Sequence, residues 1–527
     1  MTRRLWLALV LALAGCSRCG KQAEVSSGGI EHVLPRGALA VVVVPSLQVF
    51  GGKLTLLEQL KVAGFIAPLQ GFANAKGFAD EVVRQLGVDL RDPRAIEQAG
   101  LDPSRALGAA VLLSGDVYLV LPVKDASALH ARLEGISVNR FGAGAGAQQQ
   151  QGAVTVKTFS TQQGQPARLG YALANGWAFV GRDDMIAKLG QAASLTETDR
   201  LDKDAELAAA RKGAPAHDLY LWAGSGSLAL QGTPLLNAFV TLSLSATAVE
   251  ARVVGQWKDK PELLAALTAQ PAKDHSTALP ADAFLVGRYA GDAKGLGVVS
   301  GQLLGPHLAR AFEQGGFQLK AEVLDKVVPG TVFSLSLADR PPMDRGVPSF
   351  DLRQTNPFAY AHLAGLAPVA SPEVIMPVLE KVAAVAPRFG ARLEKQQREG
   401  KDLYFTTWSQ GQGVHFAPKG SLVAFASPVQ RLDALLASAA VPAPEATPAS
   451  ALSVTVDLTK LADSVRALPE SAWGLGGFAL KPTTVRWLDA TDDLKQVSLT
   501  ASAKDGTVTA AVKLSLALAA PTGAKVP

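Results

Sequence analysis

The chain has 527 residues, of which 48% are hydrophobic and 18% are charged, with 50 Gly, 31 Pro, 2 Cys and a formal net charge of +5 at pH 7. A chain of this length is expected to form two or three domains with an ample core. The hydrophobic content excludes a disordered polyelectrolyte, and two cysteines exclude a scaffold built from disulfides. The small net charge gives no reason to expect a nucleic-acid partner.

The first segment has the pattern of a signal peptide. Two arginines in Met1–Arg4 precede ten apolar residues, Leu5–Ala14. Ten helical residues rise ~15 Å, about half of a ~30 Å hydrocarbon core. The segment is therefore too short to span a membrane, and we expect it to be removed from the mature protein.

The four residues Leu13-Ala14-Gly15-Cys16 end this segment. They resemble the lipobox of bacterial lipoproteins. The resemblance implies cleavage between Gly15 and Cys16 and attachment of lipid, including acyl chains such as palmitate, to Cys16. The alternative is an ordinary secreted protein whose signal peptide happens to end in Cys.

A lipidated Cys16 would hold the protein on the membrane, because two or three acyl chains give durable attachment without a transmembrane helix. In the same family, Asp after the lipidated Cys favours retention in the inner membrane. Ser17 stands there, which favours the outer membrane, facing the periplasm, if the host is Gram-negative. Cys19 would then be either an idle thiol or part of an intermolecular disulfide.

The body of the chain shows self-similarity at a long period, which is typical of duplication. Leu34-Pro35 and Leu279-Pro280 each open an apolar run, 245 residues apart (279 minus 34). A predicted hairpin with its turn at Asn175-Gly176 resembles a second one with its turn at Pro418-Lys419-Gly420. The offset between their first strands is 243 (413 minus 170). We therefore expect two tandem similar units.

Local patterns predict an α+β fold in each unit, with an antiparallel β-sheet and packed helices. Asn175-Gly176 is a strong hairpin sequence, because both residues accept positive φ. Asp125, Pro261 and Ser427-Pro428 each stand at the expected start of a helix. Short turns between strands argue against a doubly wound parallel sheet.

These patterns divide the chain into six segments. We expect a lipoprotein signal peptide at 1–15, a flexible tether at 16–30, a first unit at 31–257, a linker at 258–277, a second unit at 278–518 and a disordered tail at 519–527.

The layout resembles an uncharacterised family of bacterial envelope proteins, a domain of unknown function whose units open with Leu-Pro-Ala-Asp and a hydrophobic strand. Leu279-Pro280-Ala281-Asp282 matches this opening fully, whereas Leu34-Pro35-Arg36-Gly37 departs from it after the proline. The resemblance implies the fold and carries no defined activity.

Local motifs for catalysis or cofactor binding are missing from the sequence. There is no phosphate-binding loop and no nucleophile elbow. No two of the seven histidines are closer than 32 residues (307 minus 275), so local zinc motifs are missing too. The acidic cluster Asp199, Asp202, Asp204 and Glu206 is interpreted as a solvated helix start, with weak cation binding as the alternative. We thus predict no catalytic residue, cofactor or metal.

Three functional hypotheses remain. The first is a non-enzymatic, lipid-anchored binding or scaffold protein of the cell envelope, whose partner is another envelope protein. The second is a periplasmic carrier of lipid or another hydrophobic ligand, which a core rich in Ala, Val and Leu would permit. The third is an envelope hydrolase with a site assembled from distant residues.

Overall fold

The structure is a computed structural model. It describes residues 29–56, 59–61, 76–77, 80, 83, 87–212, 214–225, 236–257, 261–293, 324–340, 357–371, 373, 377, 392–398, 400–409, 412–438 and 444–518. The chain divides into two compact units, the first containing residues 1–258 and 515–527 and the second residues 259–514. Both units combine helices with antiparallel strands, so the predicted α+β class is confirmed.

The first unit is built on ten antiparallel strands in the order β4-β5-β6-β7-β3-β2-β1-β8-β9-β10. The strands are β1 (Ala40–Val44), β2 (Leu107–Val111), β3 (Val117–Pro122), β4 (Ala145–Gln151), β5 (Val154–Ser160), β6 (Ala167–Ala174), β7 (Trp177–Arg182), β8 (Leu219–Ala223), β9 (Ala238–Leu244) and β10 (Ala248–Gln256).

The hairpin predicted at Asn175-Gly176 is confirmed. These two residues join β6 to β7, with φ angles of 51° and 75°, and the flanking Ala174 and Trp177 are paired. Positive φ at both positions matches the twist of the strands they connect.

Helices cover both faces of the first sheet. They are α1 (Leu47–Leu54), α2 (Pro93–Gln98), α3 (Ala126–Phe141), α4 (Leu189–Ala192) and α5 (Ala205–Arg211). Asp125 caps α3 by accepting hydrogen bonds from the backbone N–H groups of Ser127 and Ala128, as predicted. On one face α4 and α5 pack near Tyr118 and Phe179; on the other, α1, α2 and α3 pack on Tyr171 and Val180.

The second unit also has ten antiparallel strands, in the order β14-β15-β16-β17-β13-β12-β11-β18-β19-β20. The strands are β11 (Leu285–Tyr289), β12 (Thr331–Leu337), β13 (Ala361–Pro368), β14 (Arg392–Arg398), β15 (Lys401–Ser409), β16 (Gln412–Lys419), β17 (Leu422–Ser427), β18 (Leu452–Asp457), β19 (Leu494–Lys504) and β20 (Thr507–Leu516).

The helices of the second unit are α6 (Pro261–Leu267), α7 (Val429–Ala437), α8 (Leu458–Ala467) and α9 (Gly477–Ala490). Leu432 and Leu435 of α7 pack on Ala364 and Phe405 of the sheet. The predicted helix starts at Pro261 and after Pro428 are confirmed, although Ser427 belongs to β17 and makes no cap.

The hairpin turn predicted at Pro418-Lys419-Gly420 is present, but of these three residues only Gly420 belongs to it. Pro418 pairs with Val423 and Lys419 with Leu422, so the turn consists of Gly420 and Ser421. The Lys419 ammonium group donates to the Ser438 carbonyl, 2.8 Å away, beyond the end of α7. This contact helps hold Lys419 in the strand.

Two predicted boundaries can be compared with the structure. Ile30 is fully buried, so the first unit begins at the end of the expected tether. Helix α6 falls within the expected linker and belongs to the second unit. The signal peptide, Cys16, Cys19 and the tail at 519–527 lie outside the described residues. Among the residues that are described, no helix is long and apolar enough to span a membrane.

Candidate functional site

Six neighbouring strands of the first unit place aliphatic side chains side by side on one sheet face. Strand pairing aligns them in a single row: Leu119 (β3), Ala109 (β2), Val42 (β1), Leu221 (β8), Val240 (β9) and Val253 (β10). We call these six residues the apolar row. At ~4.8 Å per strand spacing, the row extends over ~24 Å.

The apolar row is accessible to solvent. Leu119 is 41% exposed, and the other five residues are partly exposed. Val117, two residues before Leu119 on the same face, is 48% exposed. At this same β3 end of the row, Leu119 pairs with Val180, which is buried beneath the helical layer. The row therefore extends from the buried core to side chains that are partly or largely exposed.

The local sequence explains why this face is apolar. Strand β1 reads Ala-Val-Val-Val-Val, without the polar alternation of a strand that has one face in water. Val41 and Val43 are buried in the core on one face, and Val42 lies between them on the other. A strand that is apolar on both faces is expected where both faces meet apolar groups.

In the second unit, aromatic rings occupy the sheet positions that correspond to part of the apolar row. Phe333 pairs with Gly287, and Phe425 with Gly365. A Cβ atom on Gly287 would lie 2.2 Å from Cζ of Phe333, and one on Gly365 would lie 2.2 Å from Cζ of Phe425. The rings thus lie over the glycines and occupy the space above them.

The second unit also contains a cleft of about 630 Å³. Its lining comes from the segment before β11, the end of β12, β13 and the start of α7: Ala278, Pro280, Asp339, Arg340, His362, Pro428, Gln430, Arg431, Ala434 and Leu435. The cleft therefore joins an apolar wall to several charged or polar groups.

His362 has a fixed hydrogen-bonding pattern in this cleft. Its Nε2 lies 2.9 Å from the Arg340 carbonyl oxygen, so Nε2 carries the proton and donates. Nδ1 is buried and has no hydrogen-bond partner in the described part of the chain. Burial of the ring lowers the pKa of His362, which favours the neutral imidazole with a lone pair on Nδ1.

The charged groups of the cleft are only partly paired. Arg431 binds Asp282 end-on, with Nη1 to Oδ1 at 2.7 Å and Nη2 to Oδ2 at 2.5 Å, and this contact lowers the pKa of Asp282. Asp339 and Arg340 are exposed, and the described residues offer neither of them an ion-pair partner. Within the described ranges, neither of these two charges is therefore neutralised by an ion pair.

The motif Leu279-Pro280-Ala281-Asp282 lies at the edge of this cleft. Asp282 holds α7 through Arg431, and the Ala281 carbonyl accepts a hydrogen bond from Lys460 of α8, 2.9 Å away. The motif thus positions two helices of the second unit. At the opening of the first unit the contacts differ, because Arg36 N–H donates to the Asp199 carbonyl, 2.7 Å away.

The predicted acidic cluster is integrated into the first unit. Asp204 caps α5 through the backbone N–H groups of Glu206 and Leu207, so the predicted helix start is confirmed for this residue. Asp204 is buried, however, and not solvated as predicted. Asp202 lies 3.1 Å from His32. In the described ranges, no three His, Cys, Asp or Glu residues come together in a way that would hold a metal ion.

The histidines bear on the hydrolase hypothesis. His130 contacts the Tyr171 hydroxyl at 2.8 Å, His217 the Pro215 carbonyl and His362 the Arg340 carbonyl. His415 is buried and stacks on Phe405. The hydrogen-bond partners of His130, His217 and His362 are thus not the serine and carboxylate of a hydrolytic triad. His32 does contact a carboxylate, that of Asp202. His307 lies outside the described residues.

No family model matches the chain, and no curated protein matches it. Among solved structures, a similarity is found to the structure of crystal form I of TP0453, at 11% sequence identity and a TM-score of 0.24. The match covers 45% of this chain and 80% of that chain.

Neither the apolar row nor the cleft is predicted by the sequence patterns described above. The row had a visible pattern, since β1, β2 and β8 are apolar at nearly every position. The cleft has no such pattern in the sequence, because its polar residues come from segments far apart in the chain.

Proposed function

We propose that this chain is a lipid-anchored envelope protein that carries a hydrophobic ligand on the apolar row of its first unit. The observation that supports the proposal best is the exposure of Leu119 and Val117 on an aliphatic sheet face. Exposed, contiguous apolar surface is costly in water and marks binding sites for apolar partners.

The proposed ligand is a lipid with a long acyl chain. The six side chains of the apolar row are all aliphatic and uncharged, so they suit a hydrocarbon chain better than a polar peptide. The anchor proposed at Cys16 would keep this surface close to the membrane, because a tether of 13 residues (29 minus 16) has an r.m.s. reach of ~20 Å.

We expect Leu119→Asp to weaken the binding of a fluorescent long-chain fatty acid at least tenfold, because the carboxylate would place a charge in the acyl-chain path. Fluorescence titration of the full chain measures the affinity. The matched control is Leu113→Asp: Leu113 is also an exposed leucine, at 61%, but it lies in the β2–β3 turn. Equal affinity of the two variants would refute the carrier proposal.

The anchor requires its own test. In the lipobox interpretation, Cys16→Ala removes the thiol that accepts lipid, so the variant should incorporate no radiolabelled palmitate and should leave the membrane fraction. Cys19→Ala is the matched control and should label normally. Palmitate incorporation into the Cys16→Ala variant would overturn the proposed anchor.

We also propose that the two units arose by tandem duplication. The strand pairings of the second unit repeat those of the first with every strand number raised by ten. The hairpins β6–β7 and β16–β17 both have two-residue turns, and their second strands start 245 residues apart (422 minus 177). That offset equals the one between the two Leu-Pro openings.

A further correspondence lies in the neighbouring strand pairs. The register of β5 and β6 shifts between Phe159 and Ser160, and that of β15 and β16 shifts between Thr407 and Ser409. Irregularities of this kind bend a strand at a defined position and persist in related folds. An experimental structure with different strand orders in the two sheets would contradict the duplication.

A further inference from the structure

Strand β4 forms an open edge of the first sheet. Within the described residues it pairs with β5 alone, and the chain around it is described without a gap from residue 87 to residue 212. Residues 146–150 are all exposed. The unpaired backbone groups of such an edge can bind a further strand, so edge strands are often kept short, covered or charged.

The outward backbone groups of β4 belong to Gly146, Gln148 and Gln150. In an antiparallel pair, successive residues direct their N–H and C=O groups alternately towards the neighbouring strand and away from it. The carbonyl oxygens of Ala145 and Ala147 accept hydrogen bonds from side chains of β5, so the odd-numbered residues of β4 face β5. The N–H and C=O groups of the three even-numbered residues therefore point to the open side.

The side chains of β4 suit pairing with an identical strand. The strand reads Ala-Gly-Ala-Gln-Gln-Gln-Gln and carries no charge. A glutamine amide has both donor and acceptor groups, so one glutamine can hydrogen-bond to another. Two copies of β4 can thus meet without charge repulsion and with complementary amides.

The corresponding strand of the second unit differs in charge. Strand β14 pairs with β15 as β4 pairs with β5, and it contains four charged residues: Arg392, Glu394, Lys395 and Arg398. When the ends of the two hairpins are aligned, Gln151 with Arg398, Lys395 takes the position of Gln148. Two β14 strands paired about that position would bring Lys395 opposite its own copy, where like charges repel. Self-pairing therefore suits β4 and not β14.

We propose that β4 pairs antiparallel with β4 of a second copy of this chain, so that the first sheets of two molecules join. Gln148 lies on the two-fold axis, opposite its own copy, and Gly146 lies opposite Gln150 of the second copy. This register uses every outward backbone group of β4 and forms about six backbone hydrogen bonds. Because both copies use the same surface, the contact closes with two copies and the product is a dimer.

Sedimentation velocity of the full chain across a concentration series tests the pairing. The wild-type protein should dimerise, and Gln148→Lys should weaken dimerisation at least fivefold, because it places two lysines opposite each other across the axis. Gln397→Lys is the matched control, since Gln397 is an exposed glutamine on β14, and it should dimerise as the wild type does. A wild-type protein that stays monomeric at the highest concentration, or a Gln148→Lys variant that dimerises as tightly as the wild type, would overturn the proposal.

A mixture of two variants separates repulsion across the axis from misfolding of β4. A fluorescently labelled Gln148→Lys chain is titrated with an unlabelled Gln148→Glu chain, so that opposite charges face each other in the mixed dimer. The labelled chain should bind the Gln148→Glu chain at least fivefold more tightly than it binds its own copies, a recovery that a misfolded strand would not show. Equal affinity for both partners would contradict the pairing of β4 with itself.

Discussion

Individual residues show where the second sheet is tightly packed. The Phe333 ring lies over Gly287, where any Cβ atom would come within 2.2 Å of it. Gly287→Ala should therefore force the ring to move and lower the free energy of unfolding by about 1–3 kcal/mol. Thermal unfolding of the purified variant measures this change.

The matched control for that substitution is Gly135→Ala in α3. A Cβ atom there would meet nothing within 4 Å, and alanine is a better helix former than glycine by roughly 0.5–1 kcal/mol. The control should raise the melting temperature, whereas Gly287→Ala should lower it. Equal shifts in the two variants would mean that the glycine has no packing role.

Elements of the first unit are joined by a buried ion pair. Lys53 in α1 donates to Asp218, which precedes β8, and their side chains are 9% and 3% exposed. Asp218 also accepts from the Leu244 N–H of β9, 2.8 Å away. Lys53→Met would leave a buried carboxylate unpaired, so it should destabilise the first unit by about 3–5 kcal/mol.

Urea unfolding measures the effect, and the double variant Lys53→Met with Asp218→Leu provides the control. Removal of both charges should recover most of the lost stability, because a buried pair replaced by apolar groups is often neutral. If Lys53→Met were as stable as the wild type, the Lys53–Asp218 pair would not be holding α1 to the segment before β8.

The sequence predicted individual elements better than their arrangement. The Asn175-Gly176 turn and the Asp125 cap depend on groups two or three residues apart, so local chemistry is enough to identify them. The place of β3 between β2 and β7 depends on contacts between distant segments. The cleft was missed for the same reason, because Arg340, His362 and Arg431 meet only after β12, β13 and α7 have packed.

The whole molecule should lose stability in mild acid. Burial lowers the pKa values of His217, His275 and His362 below 6.5, so the unfolded chain binds protons at a higher pH than the folded protein does. The stability from these groups is complete above pH 6.5 and is lost as the pH falls through their lowered pKa values, at up to about 1.4 kcal/mol per pH unit for each fully responding histidine.

Urea midpoints at pH 7.5 and 5.5 measure this dependence, since carboxylates titrate mainly at lower pH. The midpoint should be lower at pH 5.5, and His217→Phe should reduce the difference, because a phenyl ring can take the place of the imidazole against Tyr220 and Phe239. A midpoint that is unchanged or higher at pH 5.5 would contradict the assigned direction.

Native mass spectrometry of the full chain, purified from the cell envelope in detergent, tests the carrier proposal most directly. Collisional activation separates a noncovalently held lipid from acyl chains attached to Cys16. The proposal predicts a releasable lipid on the wild-type protein and on the Leu113→Asp control, with little or none on the Leu119→Asp variant. A wild-type protein without releasable lipid, or equal occupancy in the Leu119→Asp variant, would contradict it.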